Sequence, residues 1–170
     1  MGQRVPIPVE HIEHKIYRIR AQKVMLDRDL AHLYGVPTKA LKQAVRRNIT
    51  RFPEDFMFVL SSAEFADWRS RFVTSKKDKK GLRYAPMAFT EQGVAMLSTV
   101  LSSERAVAVN IQIMRAFVRL RQKLLASREL RQELDELKSQ TNNRFKIVFE
   151  TLDHLLAIEE KPKRKIGFTD

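Results

Sequence analysis

Five positive side chains, Lys39, Lys42, Arg46, Arg47 and Arg51, fall within residues 39–51 with no Asp or Glu among them. A surface helix ordinarily mixes signs, because opposite charges four residues apart stabilise it. An unbalanced cationic face is better suited to neutralising the phosphates of a nucleic acid. Gln43 lies among these charges, and its amide carries a donor and an acceptor side by side, the pattern that meets an adenine edge. Lys39, Lys42 and Arg51 suit backbone phosphates, and Arg46 suits either task. Asn48 sits nearer the apolar side, where it either joins this surface or ties the following FPEDF segment to the helix. A second basic cluster, Lys76, Lys77, Lys79 and Lys80 with Arg83, surrounds Asp78 and Gly81. It reads as a soluble loop tip or, preferably, as a second phosphate contact.

Other chemistries find less support. His11 and His14 with Glu10 and Glu13 form a compact set of metal-ligand types, but no third, distant ligand completes a site. Glu54, Asp55, Glu64 and Asp67 are the carboxylates a magnesium-dependent nuclease would use, yet Glu64 has a capping role and Glu54-Asp55 follow a helix-ending proline. No GxxxxGK, HExxH or GxSxG segment occurs, and the absence of cysteine excludes thiolate sites and disulfides. The expectation is a non-enzyme that needs no cofactor and no metal. Trp68 and Tyr84 have the rings to stack on bases, but single aromatics among apolar neighbours are usually core, and core is expected for both.

The elements that must position these residues can be read around them. Residues 16–26, IYRIRAQKVML, alternate as two short strands around Ala21, Gln22 and Lys23. Asp27 is placed to cap a short helix carrying Leu30, Ala31, Leu33 and Tyr34, which Gly35 closes by permitting a positive φ. Thr38 is placed to cap a second helix with Leu41, Val45, Asn48, Ile49 and Phe52 on one face and Lys39, Lys42, Gln43, Arg46 and Thr50 on the other, ended by Pro53. A short helix, a glycine turn and a basic amphipathic helix over residues 27–52 make a helix-turn-helix.

Beyond it, FMFVL at 56–60 reads as a buried strand, and Ser61 with Glu64 has capping-box spacing for a helix to about Arg71. Residues 73–86 read as a hairpin, or wing, with the lysine-rich tip. Thr90 caps a helix through Leu101, and Ser102 or Ser103 with Glu104 opens another. Val107, Val109, Ile111, Ile113, Met114, Phe117, Val118 and Leu120 surround so much of that helix that it is expected to be largely core. The fold class is therefore α+β and mostly helical, with small β-strands, a basic wing and a long C-terminal helix.

The net charge of +12 is not spread evenly: residues 1–126 hold 23 Lys and Arg against 11 Asp and Glu, while residues 127–158 hold 5 against 6. A basic domain over 1–126, a nearly neutral arm over 127–158 and a basic tail over 159–170 are expected. In the arm Leu130, Leu134, Leu137, Thr141, Phe145, Val148, Leu152 and Leu155 follow steps of three and four, as in a coiled-coil seam. The two consecutive steps of four around Thr141 are a stutter, and Thr141-Asn142-Asn143 is alternatively a break where the arm folds back. Leu130, Leu134, Leu137, Val148, Leu152 and Leu155 are the expected self-association residues. No apolar run long enough to span a bilayer and no signal-peptide pattern occurs, so a cytoplasmic, nucleoid-associated protein is expected.

Three segments in order, VMLDRDLAHLYGV, RRNITRFPEDFMFVL and FTEQGVAMLSTVLSSERAVAVNIQIMRAFVRLR, resemble the open-reading-frame-six N-terminal domain family, related to the KilA-N and Bro-N domains. The likeness spans roughly residues 8–123, with a fainter echo in the terminal KRKIGF. It implies a DNA-binding module of phage or prophage origin, found in regulators and antirepressor-like proteins. Combined with the charge pattern, this gives a sequence-specific duplex-DNA binder that acts as a homo-oligomer, a dimer in its simplest form, and regulates transcription. An interaction protein whose arm captures another regulator is the first rival, and a DNA-processing nuclease the second.

Overall fold

The alternating segment 16–26 folds as a hairpin of β1, Tyr17–Ile19, and β2, Gln22–Leu26, in a computed structural model that describes residues 7–72 and 84–159. The turn is tighter than the pattern suggested: Arg20 and Ala21 both take positive φ, 52° and 59°. Such two-residue turns match the twist of the strands but usually use Asn or Gly. Here the strained arginine is held from outside. Its guanidinium donates to Glu64 at 2.7 and 3.0 Å and lies 4.2 Å above the Phe58 ring.

Two further strands, β3 at Met57–Val59 and β4 at Met87–Thr90, complete an antiparallel sheet in the order β1-β2-β4-β3. Met25 pairs with Phe89, and Phe89 with Met57. Because side chains alternate across a strand, the sheet buries two faces. Met25, Met57, Met87 and Phe89 join one core, and Val24, Leu26, Phe58 and Ala88 the other. The second core is closed by α4, Ser62–Phe72, through Phe65 and Trp68. Ser61 and Glu64 form the expected capping box, with Glu64 N donating to Ser61 Oγ at 3.2 Å and Ser61 N to Glu64 Oε2 at 2.8 Å.

The larger core lies between the sheet and helices α2 (Asp27–Tyr34), α3 (Thr38–Arg47), α5 (Glu91–Leu101) and the first part of α6 (Glu104–Glu159). A short α1, Val9–Glu13, contributes the fully buried Ile12. Phe89, Leu30, Leu41, Leu97 and Ile113 are each 0% exposed, and burial of one such side chain stabilises by about 2 kcal/mol. Thr90 caps α5 as expected, accepting from Gly93 N at 3.3 Å. Gly93 cannot be replaced easily, since a Cβ there would lie 2.0 Å from the Phe56 carbonyl oxygen. Ser103 caps α6, accepting from Ala106 N at 3.1 Å.

Several expectations are corrected. Asp27 caps nothing: it is the first residue of α2, 2% exposed, and its carboxylate accepts from Met87 N at 2.9 Å. Thr38 likewise begins α3 without a side-chain cap bond. The second helix stops at Arg47, well before Pro53, and a 3₁₀ turn covers Ile49–Arg51. Ile49 is exposed, as is Val59 at the end of β3. Tyr84 is 74% exposed rather than core, whereas Trp68 is buried as expected. The front of α6 is core on one side only: Val109, Ile113 and Phe117 are buried, but Val107, Ile111 and Val118 are exposed.

The chain divides into two compact units between Arg121 and Gln122. In the second, α6 is unbroken at Thr141-Asn142-Asn143, which removes the expected alternative of a turn there. Thr141 Oγ1 donates to the Leu137 carbonyl at 2.8 Å, so its hydroxyl is satisfied within the helix. Leu130, Leu134, Leu137, Val148, Leu152 and Leu155 are each about half exposed, as are Phe145, Phe149 and Leu156. Among the described residues no helix is long and apolar enough to cross a membrane.

Candidate nucleic-acid interface

The candidate surface is built on α3, and three devices hold it. Gly35 ends α2 with φ 70°, its N–H donating to the His32 carbonyl at 3.1 Å while Val36 N donates to Ala31 at 3.0 Å. Those bonds satisfy carbonyls that a helix end leaves open and turn the chain at Gly35-Val36-Pro37 into α3. Leu41 and Val45 then fix the helix by full burial. Finally Lys42 Nζ lies 3.1 Å from Asp27 Oδ2, so one carboxylate binds both a lysine of α3 and the backbone of β4.

That last contact reassigns Lys42. Its side chain is only 19% exposed and its charge is committed to Asp27, so it anchors the helix rather than presenting a phosphate contact. Asn48 also turns inward, donating from Nδ2 to the Ala44 carbonyl at 2.9 Å and closing the C-terminus of α3 rather than the FPEDF segment. Lys39, Gln43, Arg46 and Arg47 are exposed on α3, and Arg51 follows on the 3₁₀ turn. Arg51 Nη1 donates to Thr99 Oγ1 at 3.3 Å, which steadies it beside α5. The structure thus brings Lys39, Gln43, Arg46, Arg47 and Arg51 onto one short segment. Lys76, Lys77, Lys79, Lys80 and Arg83 lie outside the described residues.

Further polar side chains flank this segment from elsewhere in the chain. Lys15, Arg28 and His32 line a cleft of about 400 Å³ with Asp29, Val36, Pro37 and Thr38 at the entrance to α3. Lys15 is paired there with Asp29 at 3.4 Å. Lys15, from the segment before β1, and the α2 pair Arg28 and His32 come from two separate stretches that the fold brings together. Of the candidate metal ligands, Glu10 and Glu13 are both ion-paired to Arg119. Of the candidate nuclease carboxylates, Glu64 is bound to Arg20 and Ser61, and its carboxyl is held down at about 2, first by the Arg20 hydrogen bond and then by the Ser61 backbone. Asp67 pairs with Arg71 on its own helix.

Elsewhere, Gln22, Lys23, Asp55, Thr90, Glu91, Gln92, Phe117 and Arg121 line an open groove of about 420 Å³. Arg121 is hydrogen-bonded to Glu91 across it, and partial burial followed by the Arg121 charge pulls the Lys23 ammonium below its usual range. Its mixed charges give no one-signed surface comparable with that of α3.

Residues 14–100, just over half the chain, match the family model of the ORF6N domain. The match runs from the end of α1 through α5 and is shorter than the expected 8–123, leaving α6 outside it. No curated protein and no solved structure matches the chain.

Proposed function

Because the chain belongs to the ORF6N domain family, we propose that it is a phage-type, sequence-specific duplex-DNA-binding protein that regulates transcription as a homo-oligomer. The observation that carries this reading is the exposed face of α3 and its 3₁₀ extension. Lys39, Arg46, Arg47 and Arg51 stand there around Gln43 without a carboxylate, on a helix entered through a glycine turn. In this role α3 lies in the major groove, Gln43 reads a base edge and the cations hold flanking phosphates. No catalytic step and no cofactor enters the mechanism. The cytoplasm, where the chromosome is reached directly, is the compartment this role requires.

The arm supports the oligomeric part. Residues 127–158 carry 5 positive against 6 negative charges, so they gain little from touching DNA, and their half-exposed leucines are covered most simply by a second copy of the same helix. Two weak DNA contacts joined in this way bind as one strong contact.

Selection of bound sequences from a random duplex pool tests the reading. A preferred sequence in paired half-sites, bound with an affinity that falls steeply with salt, is the expected result. Affinity that does not change with salt would sink it. Magnesium-dependent cleavage of the pool would replace it with a nuclease, and capture of a cellular repressor without DNA would replace it with an antirepressor.

A further inference from the structure

Building on the DNA-binding reading, we infer that Arg105 is a further phosphate-holding residue of the interface, delivered to the turn between α2 and α3 by the start of α6. A Cβ placed on Gly35 would lie 2.8 Å from Arg105 Cζ and 2.9 Å from its Nε and Nη2. The guanidinium therefore rests against the backbone of that turn. Gly35 stands four positions before Lys39, where α3 begins its exposed cationic face.

The first turns of α6, which carry Arg105, are held firmly. Ser103 caps α6 two residues earlier, and Ala106 next to it is 1% exposed. One turn on, the buried Asn110 accepts from Tyr34 Oη at 2.7 Å and donates to the Val94 carbonyl at 3.1 Å. Tyr34 is the last residue of α2, directly before Gly35, so this bond fixes α6 to the helix end on which Arg105 lies. Arg105 itself is exposed, and among the described residues it makes no hydrogen bond or ion pair. The nearby α2 carbonyls of Ala31 and His32 are already engaged by Val36 N and Gly35 N. A planar fork of donors, fixed at its stem and unclaimed at its head, suits an incoming phosphate oxygen pair.

The test uses the full chain and a labelled duplex of mixed sequence several turns long, since phosphate contacts act on any sequence. Arg105→Ala is expected to weaken binding roughly fivefold at moderate salt and to reduce the salt slope by about one, while Arg105→Lys keeps the slope. The thermal midpoint of Arg105→Ala should stay near that of the parent. Unchanged affinity and slope in Arg105→Ala, or a lowered midpoint with DNA binding intact, overturns the assignment and leaves the DNA-binding reading standing. Failure of the parent chain to bind duplex at low salt overturns both.

Discussion

Helix α3 and the arm of α6 both carry apolar residues at helical spacing, yet they end in opposite conditions. Leu41 and Val45 of α3 are 0% exposed, whereas Leu130 and Leu137 of the arm are each 59% exposed. Periodicity identifies a face and says nothing about what covers it. On α3 the cover is the protein's own core, so the other face is fixed in place and its side chains are free to specialise. On the arm the apolar side chains remain half in water, and a helix this long is stabilised mainly by what packs on such a face. One region therefore has its apolar face covered by the core, and the other has its apolar face half exposed.

The contrast breaks most severely where α3 is anchored. Asp27→Ala removes the acceptor of a buried N–H and the partner of a mostly buried lysine, and is expected to cost about 3 kcal/mol, read from the denaturant midpoint. Lys42→Ala should also lower stability while leaving the salt slope of DNA binding unchanged. A reduced slope with intact stability would return Lys42 to the interface. Next comes the arm: Leu134→Asp should yield a monomer by light scattering and weaken binding to paired sites roughly a hundredfold, with single-site binding retained. A monomeric parent chain would show instead that the arm's apolar face serves something other than a second copy.

Smaller effects concern the exposed face of α3. Gln43→Ala is expected to reduce discrimination between selected and scrambled duplexes by about 1–3 kcal/mol. Lys39→Ala should weaken both duplexes alike and reduce the salt slope by about one. If Gln43→Ala left base preference intact, α3 would be inserted in another way than proposed.

Much of this organisation could be read in the sequence because it is local. The capping box at Ser61 and Glu64, the Thr90 cap, the positive φ of Gly35 and the two faces of α3 each depend on residues within a few positions of one another. What escaped was set by distant partners. Strand β4, only MAFT, was hidden because its four residues are all buried and show no alternation. Asp27 has the local signature of a cap, whereas its partners, Met87 and Lys42, are supplied by tertiary structure. Lys42 shares its side of the helical pattern with Lys39 and Gln43, and nothing in the spacing shows a carboxylate beneath it. The front of α6 has the pattern of a largely buried helix because apolar residues occur on both sides, while the fold covers only the side of Val109, Ile113 and Phe117. Arg105 lies far along the chain from α3 and belongs to no local pattern.

The smallest expected effect concerns Glu64, which joins α4 to the β1–β2 turn and so controls how well the far face of the sheet is closed. Its carboxylate accepts from Arg20 and from Ser61 N, and these bonds hold its carboxyl at about 2, against an ordinary value of 4.5. A folded value below the unfolded one means that ionisation favours the folded chain. The stabilisation is complete above about 4.5, and it fades as pH falls through that value toward about 2. Glu64→Gln keeps an oxygen for Ser61 N and removes only the charge. At neutral pH the loss should be a few tenths of a kcal/mol, since Glu64 and Arg20 are both partly exposed and water screens them. The informative measurement is the acid limb. Between about pH 4.5 and 2 the parent should lose stability more steeply than the variant, and parallel acid limbs would show that the Arg20 contact does not persist in solution and that Arg20 keeps its positive φ through the Phe58 ring alone.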